Sequence, residues 1–384
     1  MLTKVRFKNF RSFSEETIIS LEKSKLEILE ESNTYNGVLK GCAFYGSNAS
    51  GKTNAINAIS LLFDMLFAET MIDFTRLITL FNNEKSAYFE YTFNEDNHII
   101  IYYIEIDRKG RIMKEKLQLD GVLQLNRLLN SAEGALIGNT VYDATDFDEK
   151  SLLIRKIYFD TKFNDEPVLS KWFLALSNAV FINPSGALTS KIFTFKASNR
   201  NEILLPEYLE EYGDAEINNF FKAFSFPYRI RYEKANTTKA ALIPFANRLF
   251  LVRENMAEVP YFLESYGTVV LLNLMPAILS AIKKDAIIMI DEFSSGLHNH
   301  LEELLIKYIF TNTTAGQLLF VSHSTNLLKT SLLRPDQIYS VDFDNKGSFM
   351  RKFSEEHPRA SQNLEKMYLS GVFGGIPLYG KGEL

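Results

Sequence analysis

The fold is decided by the stretch Gly46-Ser47-Asn48-Ala49-Ser50-Gly51-Lys52-Thr53, which reads G-x-x-x-x-G-K-T. The apolar run before it, residues 38–45, has about the length of a buried strand. Apolar residues after it recur at three- and four-residue spacing, as on one face of a helix: Ile56, Ile59, Leu62, Phe63 and Leu66. A strand, a glycine-rich turn and a helix in this order predict a phosphate-binding loop.

The chemistry of this loop suits the phosphates of a nucleoside triphosphate. Gly46 and Gly51 let the backbone curl, so that successive N–H groups form a concave anion site, and the following helix adds the positive end of its dipole. Lys52 is expected to reach the β- and γ-phosphates, and the Thr53 hydroxyl to take a Mg²⁺ coordination position. We therefore predict that ATP contacts Gly46, Ser47, Asn48, Ala49, Ser50, Gly51, Lys52, Thr53 and Asn54.

An acidic pair supplies the expected second half of the site. The apolar run 286–290 ends in Asp291-Glu292, and carboxylates at the carboxyl end of a buried strand lie where ligands bind in open α/β sheets. Asp291 is predicted to hold Mg²⁺ through water, and Glu292 to orient and polarise the attacking water. His323 follows its own apolar run and is predicted to sense the γ-phosphate.

Composition limits the class of protein. The chain has 384 residues, of which 46% are hydrophobic, enough for about two domains or for one core with a large insertion. A net charge of −5 argues against a surface built to coat nucleic acid but is compatible with a local basic groove. Cys42 is the only cysteine, which suits a reducing compartment. With neither a signal-peptide pattern nor a run of about 18 apolar residues, we expect a cytoplasmic protein without a membrane segment.

The pattern along the chain predicts an α/β fold with an antiparallel portion. Strands at 2–10 and 17–21 flank a turn that carries Arg11, and a meander is predicted at 88–93, 99–107 and 112–119. The span 125–260 is read as a helical insertion, with helices at 123–136 and 167–180, and no heptad series is long enough for a coiled-coil arm. The last part alternates helices and strands, as a parallel sheet with crossovers requires: helices at 267–281, 297–309 and 325–332, strands at 286–290, 317–321 and 338–343.

The order of the motifs carries a family resemblance. After the phosphate loop come Leu263-Glu264-Ser265-Tyr266-Gly267-Thr268, Ile290-Asp291-Glu292, Ser295-Gly296-Leu297-His298 and Ser322-His323, and residues 5–13 and 363–374 fit as well. The chain resembles the ABC-type ATPases of the RecF- and SMC-like branch, and most closely the stand-alone AAA_15/AAA_21 ATPases. These are the RloA/AbiLi-like ATPases of bacterial anti-phage and abortive-infection systems, related to the ATPase half of OLD-family nucleases. The resemblance is weakest over residues 125–260.

The resemblance implies an ABC-type P-loop ATPase head with a mixed or parallel sheet, an antiparallel β subdomain and a helical insertion. It divides the chain into an N-terminal ATPase lobe (1–124), a mainly helical insertion or lid (125–260) and a C-terminal ATPase lobe (261–384). Ser265 and Gly267 are implied to form the signature that caps the γ-phosphate bound by a second subunit, here E-S-x-G-T in place of L-S-G-G-Q. The working unit would be a head-to-tail homodimer around two ATP·Mg²⁺.

Further roles follow from the same resemblance. The turn Ser295 to His298 would be the D-loop at the dimer interface, with Asn299 where a proline often stands, and Arg11 would lie near the nucleotide. The implied function is that of an ATP-hydrolysing sensor or switch in anti-phage defence, which controls a nuclease or toxin partner. The alternative is a RecF/SMC-like DNA-binding ATPase in repair, which would need a basic groove across the dimer. Independently of the resemblance, the basic residues could form a nucleic-acid surface, although a solvated face is the more frequent explanation: Arg229, Arg231, Lys234, Lys239 and Arg248.

Three other readings of the same residues have less chemical support. His298 and His300 would place their rings on different faces of a helix start, without a third ligand at zinc spacing. Ser322-His323-Ser324 lacks the nucleophile elbow of a hydrolase. Asp342 and Asp344 share a strand face and could hold Mg²⁺ as in a nuclease, but the roughly 40 residues after them are too few for a nuclease domain. A polar turn is therefore favoured there.

Overall fold

The computed structural model describes residues 1–68, 77–138, 148–183, 190–192, 205–235 and 243–376. The helices in these ranges are α1 (Glu30–Asn33), α2 (Lys52–Phe67), α3 (Leu153–Thr161), α4 (Pro167–Ser177), α5 (Leu205–Tyr212), α6 (Ala215–Ala223), α7 (Tyr266–Lys283), α8 (Asn299–Asn312) and α9 (Leu364–Leu369). The strands are β1 (Leu2–Lys8), β2 (Thr17–Ser20), β3 (Thr34–Tyr35), β4 (Val38–Leu39), β5 (Gly41–Gly46), β6 (Ser86–Glu95), β7 (His98–Asp107), β8 (Ile112–Leu119), β9 (Val122–Leu128), β10 (Ser131–Glu133), β11 (Val180–Ile182), β12 (Ser190–Ile192), β13 (Tyr228–Tyr232), β14 (Leu249–Arg253), β15 (Val259–Pro260), β16 (Ile287–Ile290), β17 (Gln317–Val321), β18 (Ile338–Asp344) and β19 (Gly347–Lys352).

A mixed sheet positions the site. Its strand order is β12-β11-β16-β17-β5-β18-β19, with the five inner strands parallel and the two edge strands antiparallel. All six residues of β5 are buried, as expected for a strand covered on both faces. Because parallel strands end at one edge of a sheet, the segments that follow β16, β17 and β5 meet there.

Two layers cover the mixed sheet. On one side, α2 packs between it and an antiparallel sheet of order β10-β9-β8-β7-β6-β1-β2, and the Tyr91 hydroxyl of β6 donates to the Ala58 carbonyl of α2 at 2.7 Å. On the other side lie α5, α6, α7 and α8, whose apolar residues form a second core with Ala43, Tyr45 and Ile288. The result is the predicted α/β architecture with an antiparallel portion.

The helix predicted at 123–136 is wrong. This segment forms β9 and β10, and β9 pairs antiparallel with β8. Arg127 supports the strand from inside, because its buried guanidinium donates to the carbonyl of the nearby Leu129 at 2.9 Å and to the distant carbonyls of Ser151 and Asp148 at 2.7 and 2.8 Å. Because a charged residue is not expected at a buried strand position, the sequence pattern did not indicate that Arg127 faces inward.

The described residues of the insertion 125–260, which the sequence predicts to be mainly helical, include strands as well as helices. They hold α3 to α6, but also β11, β12 and a small antiparallel sheet of order β13-β14-β15. The helix predicted at 325–332 is reduced to a short 3₁₀ turn at Thr325–Leu327, and the polar segment expected after 343 forms β19 instead. The other predicted elements lie within a few residues of their observed bounds.

Helix α7 is long and apolar enough to cross a membrane by length and composition, with a mean hydropathy of 1.4. It is 56% buried against the protein, and its inner residues, such as Leu271 and Met275, belong to the second core. Among the described residues it is the one helix with these properties, and it is a core helix here.

Candidate nucleotide-binding site

The phosphate loop follows β5 at the edge where the parallel strands end. A Cβ atom at Gly46 would lie 2.3 Å from the Val341 carbonyl oxygen, and one at Gly51 would lie 2.3 Å from Oγ of Ser348. Both glycines have positive φ, 157° and 110°, a region that L side chains rarely adopt. The loop can therefore pack against β18 and β19 only with glycine at both positions.

Lys52 is folded back into the loop. Its ammonium donates to the carbonyl oxygens of Gly46 at 2.9 Å and Ser47 at 2.6 Å, and only 6% of the residue is exposed. Burial lowers the pKa of Lys52 to about 8, and the nearby carboxylates of Asp291 and Glu292 partly oppose that shift. The cation is held at the centre of the loop, where an anion would replace its carbonyl partners.

The two halves of the predicted site meet. The Thr53 hydroxyl donates to Oδ1 of Asp291 at 3.2 Å, although the two residues are 238 positions apart. Asp291 is 2% exposed, and its backbone N–H donates to the Ile182 carbonyl at 2.9 Å, which continues the β11–β16 ladder. Burial raises the pKa of this carboxyl, while the Thr53 hydrogen bond opposes the rise.

Glu292 and His323 complete the cluster around Lys52. Glu292 has a φ of 55°, a left-handed conformation that is uncommon for a non-glycine residue and is often found at functional sites. Desolvation lowers the pKa of His323, the Lys52 ammonium lowers it further, and the Glu292 carboxylate opposes both. Lys52 and Glu292 are thus both close enough to shift the pKa of His323.

The N-terminal turn braces the first turn of α2. Arg11 donates to Oδ1 of Asn54 at 3.3 Å, and Asn54 donates through Nδ2 to Oγ of Ser12 at 2.7 Å. Ser348 donates through Oγ to the Ser50 carbonyl at 2.6 Å. The sequence indicated Arg11, but not Ser12 or Ser348, because the strand that holds Ser348 had no alternating apolar pattern.

The glycine-rich segment after α9 packs beside the loop. Gly375 lies so close that a Cβ atom there would be 3.4 Å from Cα of Gly46. The N–H of Gly375 donates to both carboxylate oxygens of Asp342 at 2.9 Å, whereas Asp344 accepts from the Lys346 N–H at 2.8 Å. Asp342 and Asp344 therefore serve two different backbone turns, which accords with the polar-turn reading.

Ser265 has only local partners among its described contacts. It caps α7, where its side chain accepts from the Thr268 N–H at 3.4 Å, and it is exposed. Gly267 meets the turn that follows Asp291 and Glu292, because a Cβ atom there would lie 2.8 Å from the Gly296 carbonyl oxygen. Within one chain, the described contacts of Ser265 and Gly267 do not include the loop.

The remaining candidates have local partners. His298 caps α8 by accepting from the His300 N–H at 3.2 Å. In the proposed basic surface, Arg231 pairs with Glu258 and Glu233, and Arg248 pairs with Glu210. Lys239 lies outside the described residues. Two of the three described arginines of this surface, Arg231 and Arg248, are therefore paired with carboxylates.

Residues 42–329, well over half of the chain, match the AAA_21 family model, described as "AAA domain, putative AbiEii toxin, Type IV TA system". The chain belongs to the AAA_21 family. No curated protein matches the sequence.

Solved structures show which fold this AAA_21 chain has. A Smc head bound to the C-terminal winged-helix domain of ScpA aligns with a TM-score of 0.55 and 16% identity, over 96% of this chain and 99% of that one. A Smc head with an extended coiled coil, bound to the C-terminal domain of ScpA derived from Pyrococcus furiosus, gives 0.52 and 14%, over 97% and 99%. At such identities the likeness shows the fold alone, that of an SMC-head-like P-loop ATPase.

The AAA_21 site fits a nucleotide and a divalent cation. Ser50 Oγ is buried in the loop without a hydrogen-bond partner among the described residues, so it is available to an incoming oxygen. The lysine ammonium and the backbone amides of the loop suit phosphate, and the Thr53 hydroxyl beside the Asp291 carboxylate offers the oxygen ligands that Mg²⁺ prefers.

Proposed function

We propose that this AAA_21 chain binds and hydrolyses ATP with Mg²⁺, dimerises around the nucleotide and switches a partner protein in a bacterial anti-phage defence system. The observation that carries the ATPase part is the contact between Thr53 and Asp291 at 3.2 Å. It brings a phosphate loop and an acidic strand end together in the geometry that phosphoryl transfer needs.

Each residue would have one role in hydrolysis. Lys52 and the loop amides bind the β- and γ-phosphates and offset their charge. Thr53 and Asp291 would hold Mg²⁺, which when bound neutralises phosphate charge. Glu292 would accept a proton from the attacking water. The oxygen of that water bonds to the γ-phosphorus, and the bond between the γ-phosphorus and the oxygen of the departing ADP breaks. His323 orients the γ-phosphate.

The dimer would complete the site. Ser265 is exposed at the start of α7, and the described hydrogen bonds of its side chain are to Thr268 of the same helix. A hydroxyl and a helix N-terminus directed outward suit the γ-phosphate of a second copy. The neighbouring Phe262, Leu263 and Tyr266 are 55–66% exposed, and they would be buried by such a head-to-tail contact.

The defence role and the partner rest on the family. The AAA_21 description refers to a putative AbiEii toxin and a type IV toxin–antitoxin system, which supports a place in a toxin–antitoxin type of defence system; the toxin or nuclease partner is part of the proposal. The ATP-bound dimer and the released monomers would be the two states of the switch, set by the presence of the γ-phosphate. We place the protein in the cytoplasm, where ATP is available and Cys42 would stay reduced.

ATP turnover by matched variants tests the proposed chemistry. Glu292→Gln should lower the hydrolysis rate at least 100-fold while ATP binding persists, because the amide cannot accept the proton from water. Lys52→Ala should abolish binding itself. Glu149→Gln, an exposed glutamate far from the loop, is the control and should hydrolyse ATP at the wild-type rate. Full turnover by the Glu292→Gln protein would rule out the assigned role.

A further inference from the structure

An exposed aromatic pair, Phe81 and Phe343, lies beside the phosphate loop. Their ring centroids are 5.5 Å apart in an edge-to-face arrangement. The two side chains are 52% and 49% exposed, and the neighbouring Leu80 is 87% exposed. Clustered apolar side chains with this exposure mark binding sites, whereas isolated ones do not. We call Phe81 and Phe343 the aromatic platform.

Ser12 connects the aromatic platform to the loop. Its hydroxyl accepts from Asn54 in the first turn of α2 at 2.7 Å, and its carbonyl accepts from the Ser348 N–H at 2.7 Å. A Cβ atom at Gly347 would lie 2.4 Å from that carbonyl oxygen and 3.4 Å from Cδ2 of Phe81. Gly347 thus lies between the Phe81 ring and Ser12, and Ser12 in turn binds Asn54.

Hydrogen bonds hold the backbone of both aromatic residues in place. The Thr79 N–H donates to the Asn9 carbonyl at 3.2 Å, and the Phe81 N–H donates to Oγ1 of Thr79 at 3.1 Å. Phe343 lies in β18 and pairs with Ser348 of β19. A ligand that stacks on these rings therefore meets a surface that is already ordered, which reduces the entropy lost on binding.

Strand order shows where a nucleotide would extend. Glu292 and His323 follow β16 and β17, on one side of β5, while Phe343 lies in β18 on the other side. A triphosphate with its γ-phosphate toward Glu292 would therefore direct its nucleoside toward β18 and β19. Arg11 and Asn54 lie along that route, at the first turn of α2.

We propose that the aromatic platform stacks the base of the nucleotide whose phosphates occupy the loop. This inference rests on the proposed function, since the phosphates determine where the base begins. An aromatic surface next to a polar loop suits a flat, apolar ring joined to an anion. Every base has a π-face, so the platform adds affinity with little selection among the bases, purines being favoured by their larger area.

Inorganic tripolyphosphate has no base, so it distinguishes the contribution of the base to binding from that of the phosphates. With Mg²⁺ present, titration calorimetry measures ATP, GTP and tripolyphosphate binding to the full chain. Phe81→Ala and Phe343→Ala should each weaken ATP and GTP roughly 5- to 150-fold, as expected for about 1–3 kcal/mol of stacking per base. Tripolyphosphate should bind them as it binds wild type, and Phe81→Trp should retain ATP affinity. Phe159→Ala removes another phenylalanine, 46% exposed, and is the control.

The outcomes distinguish the platform from the phosphate site. Unchanged ATP affinity in both alanine variants would overturn the platform while leaving the phosphate site intact. An equal loss for ATP and tripolyphosphate would also overturn it, because the rings would then support the loop or a contact between copies. Failure of wild type to bind either ligand would overturn the proposed function and the platform with it. Thermal melts of each variant check that the fold is kept.

Discussion

The Thr53 hydroxyl donates a hydrogen bond of 3.2 Å to Oδ1 of Asp291, across 238 residues of sequence. The first residue belongs to the helix after the phosphate loop, and the second follows a strand in the other half of the chain. Because β17 alone separates β16 from β5 in the sheet, the two strand ends lie close together. The sheet topology thus brings the two proposed Mg²⁺ ligands together.

Replacement of Asp291 should increase the stability of the protein and abolish its response to Mg²⁺. Burial raises the pKa of this carboxyl, so its ionised form is costly in the ligand-free protein. Asp291→Asn should therefore raise the melting temperature of the ligand-free protein at pH 8, yet abolish the effect of Mg²⁺ on ATP affinity. Asp120→Asn, an exposed carboxyl paired with His98, is the control and should keep the Mg²⁺ effect. A stable variant that still responds to Mg²⁺ would contradict the assignment.

The charge of Lys52 should govern ATP affinity at alkaline pH. Its pKa is lowered to about 8 by burial, so the free protein loses the ammonium as pH rises past that value. ATP needs the charged form, and its affinity should fall by up to about tenfold per pH unit above 8. Titrations at pH 7, 8 and 9 measure the slope. The Lys52→Arg protein, whose side chain stays charged, should bind ATP more weakly but with an affinity that does not change between pH 7 and pH 9. An ATP affinity of the wild-type protein that is equally independent of pH would refute the prediction.

Glu302 should make stability depend on pH. It is fully buried in α8, accepts from Oγ of Ser324 at 3.0 Å, and burial raises its pKa to about 7 from 4.5. The folded state therefore holds a proton that the unfolded state releases between those values, so stability falls as pH rises through this window and is level above it. Glu302→Gln should be more stable than wild type at pH 8 by up to about 3 kcal/mol, and similar at pH 4.

Glu303 provides the control for this measurement. Its carboxylate pairs with Lys329, and its pKa is lowered, so it contributes stability above its unfolded pKa that is lost as pH falls. Glu303→Gln should therefore be slightly less stable than wild type at pH 8, the opposite direction. Thermal unfolding at pH 4 and pH 8 compares the two variants. Equal stability of Glu302→Gln and wild type at both pH values would exclude the titration of Glu302.

Substitution of Gly46 tests the packing of the phosphate loop. Gly46→Ala places a Cβ atom 2.3 Å from the Val341 backbone carbonyl, which a rotamer change cannot relieve. We expect a loss of about 1–3 kcal/mol in unfolding free energy, together with loss of ATP binding. Gly121→Ala is the control, since it also has positive φ but open space around it, and it should bind ATP normally. Equal losses of unfolding free energy and of ATP binding in the two variants would show that the positive φ, and not the contact with Val341, is responsible.

The sequence predicted the parts of the site that depend on local order. A strand, a glycine turn and a helix are contiguous, so residues 46–53 sufficed for the loop, and an apolar run into Asp291 sufficed for the acidic edge. The platform could not be predicted, because Phe81 and Phe343 are distant in sequence and meet only through the packing of β18 and the N-terminal turn. The helix prediction for residues 123–136 was wrong because the spacing of their leucines also fits a helix. The strand is evident only from the pairing of β9 with β8 and from the hydrogen bond of the buried Arg127 to Ser151.

Native mass spectrometry of the Glu292→Gln protein, isolated from its host with ATP and Mg²⁺, tests the central claim most directly. The account predicts two copies holding two ATP, because the variant retains the nucleotide that joins them, with a toxin- or nuclease-like subunit bound. Ser265→Arg in the same background should release the copies, since the larger charged side chain blocks the contact with the γ-phosphate. A monomer that carries ATP, unchanged by that second substitution, would contradict the account.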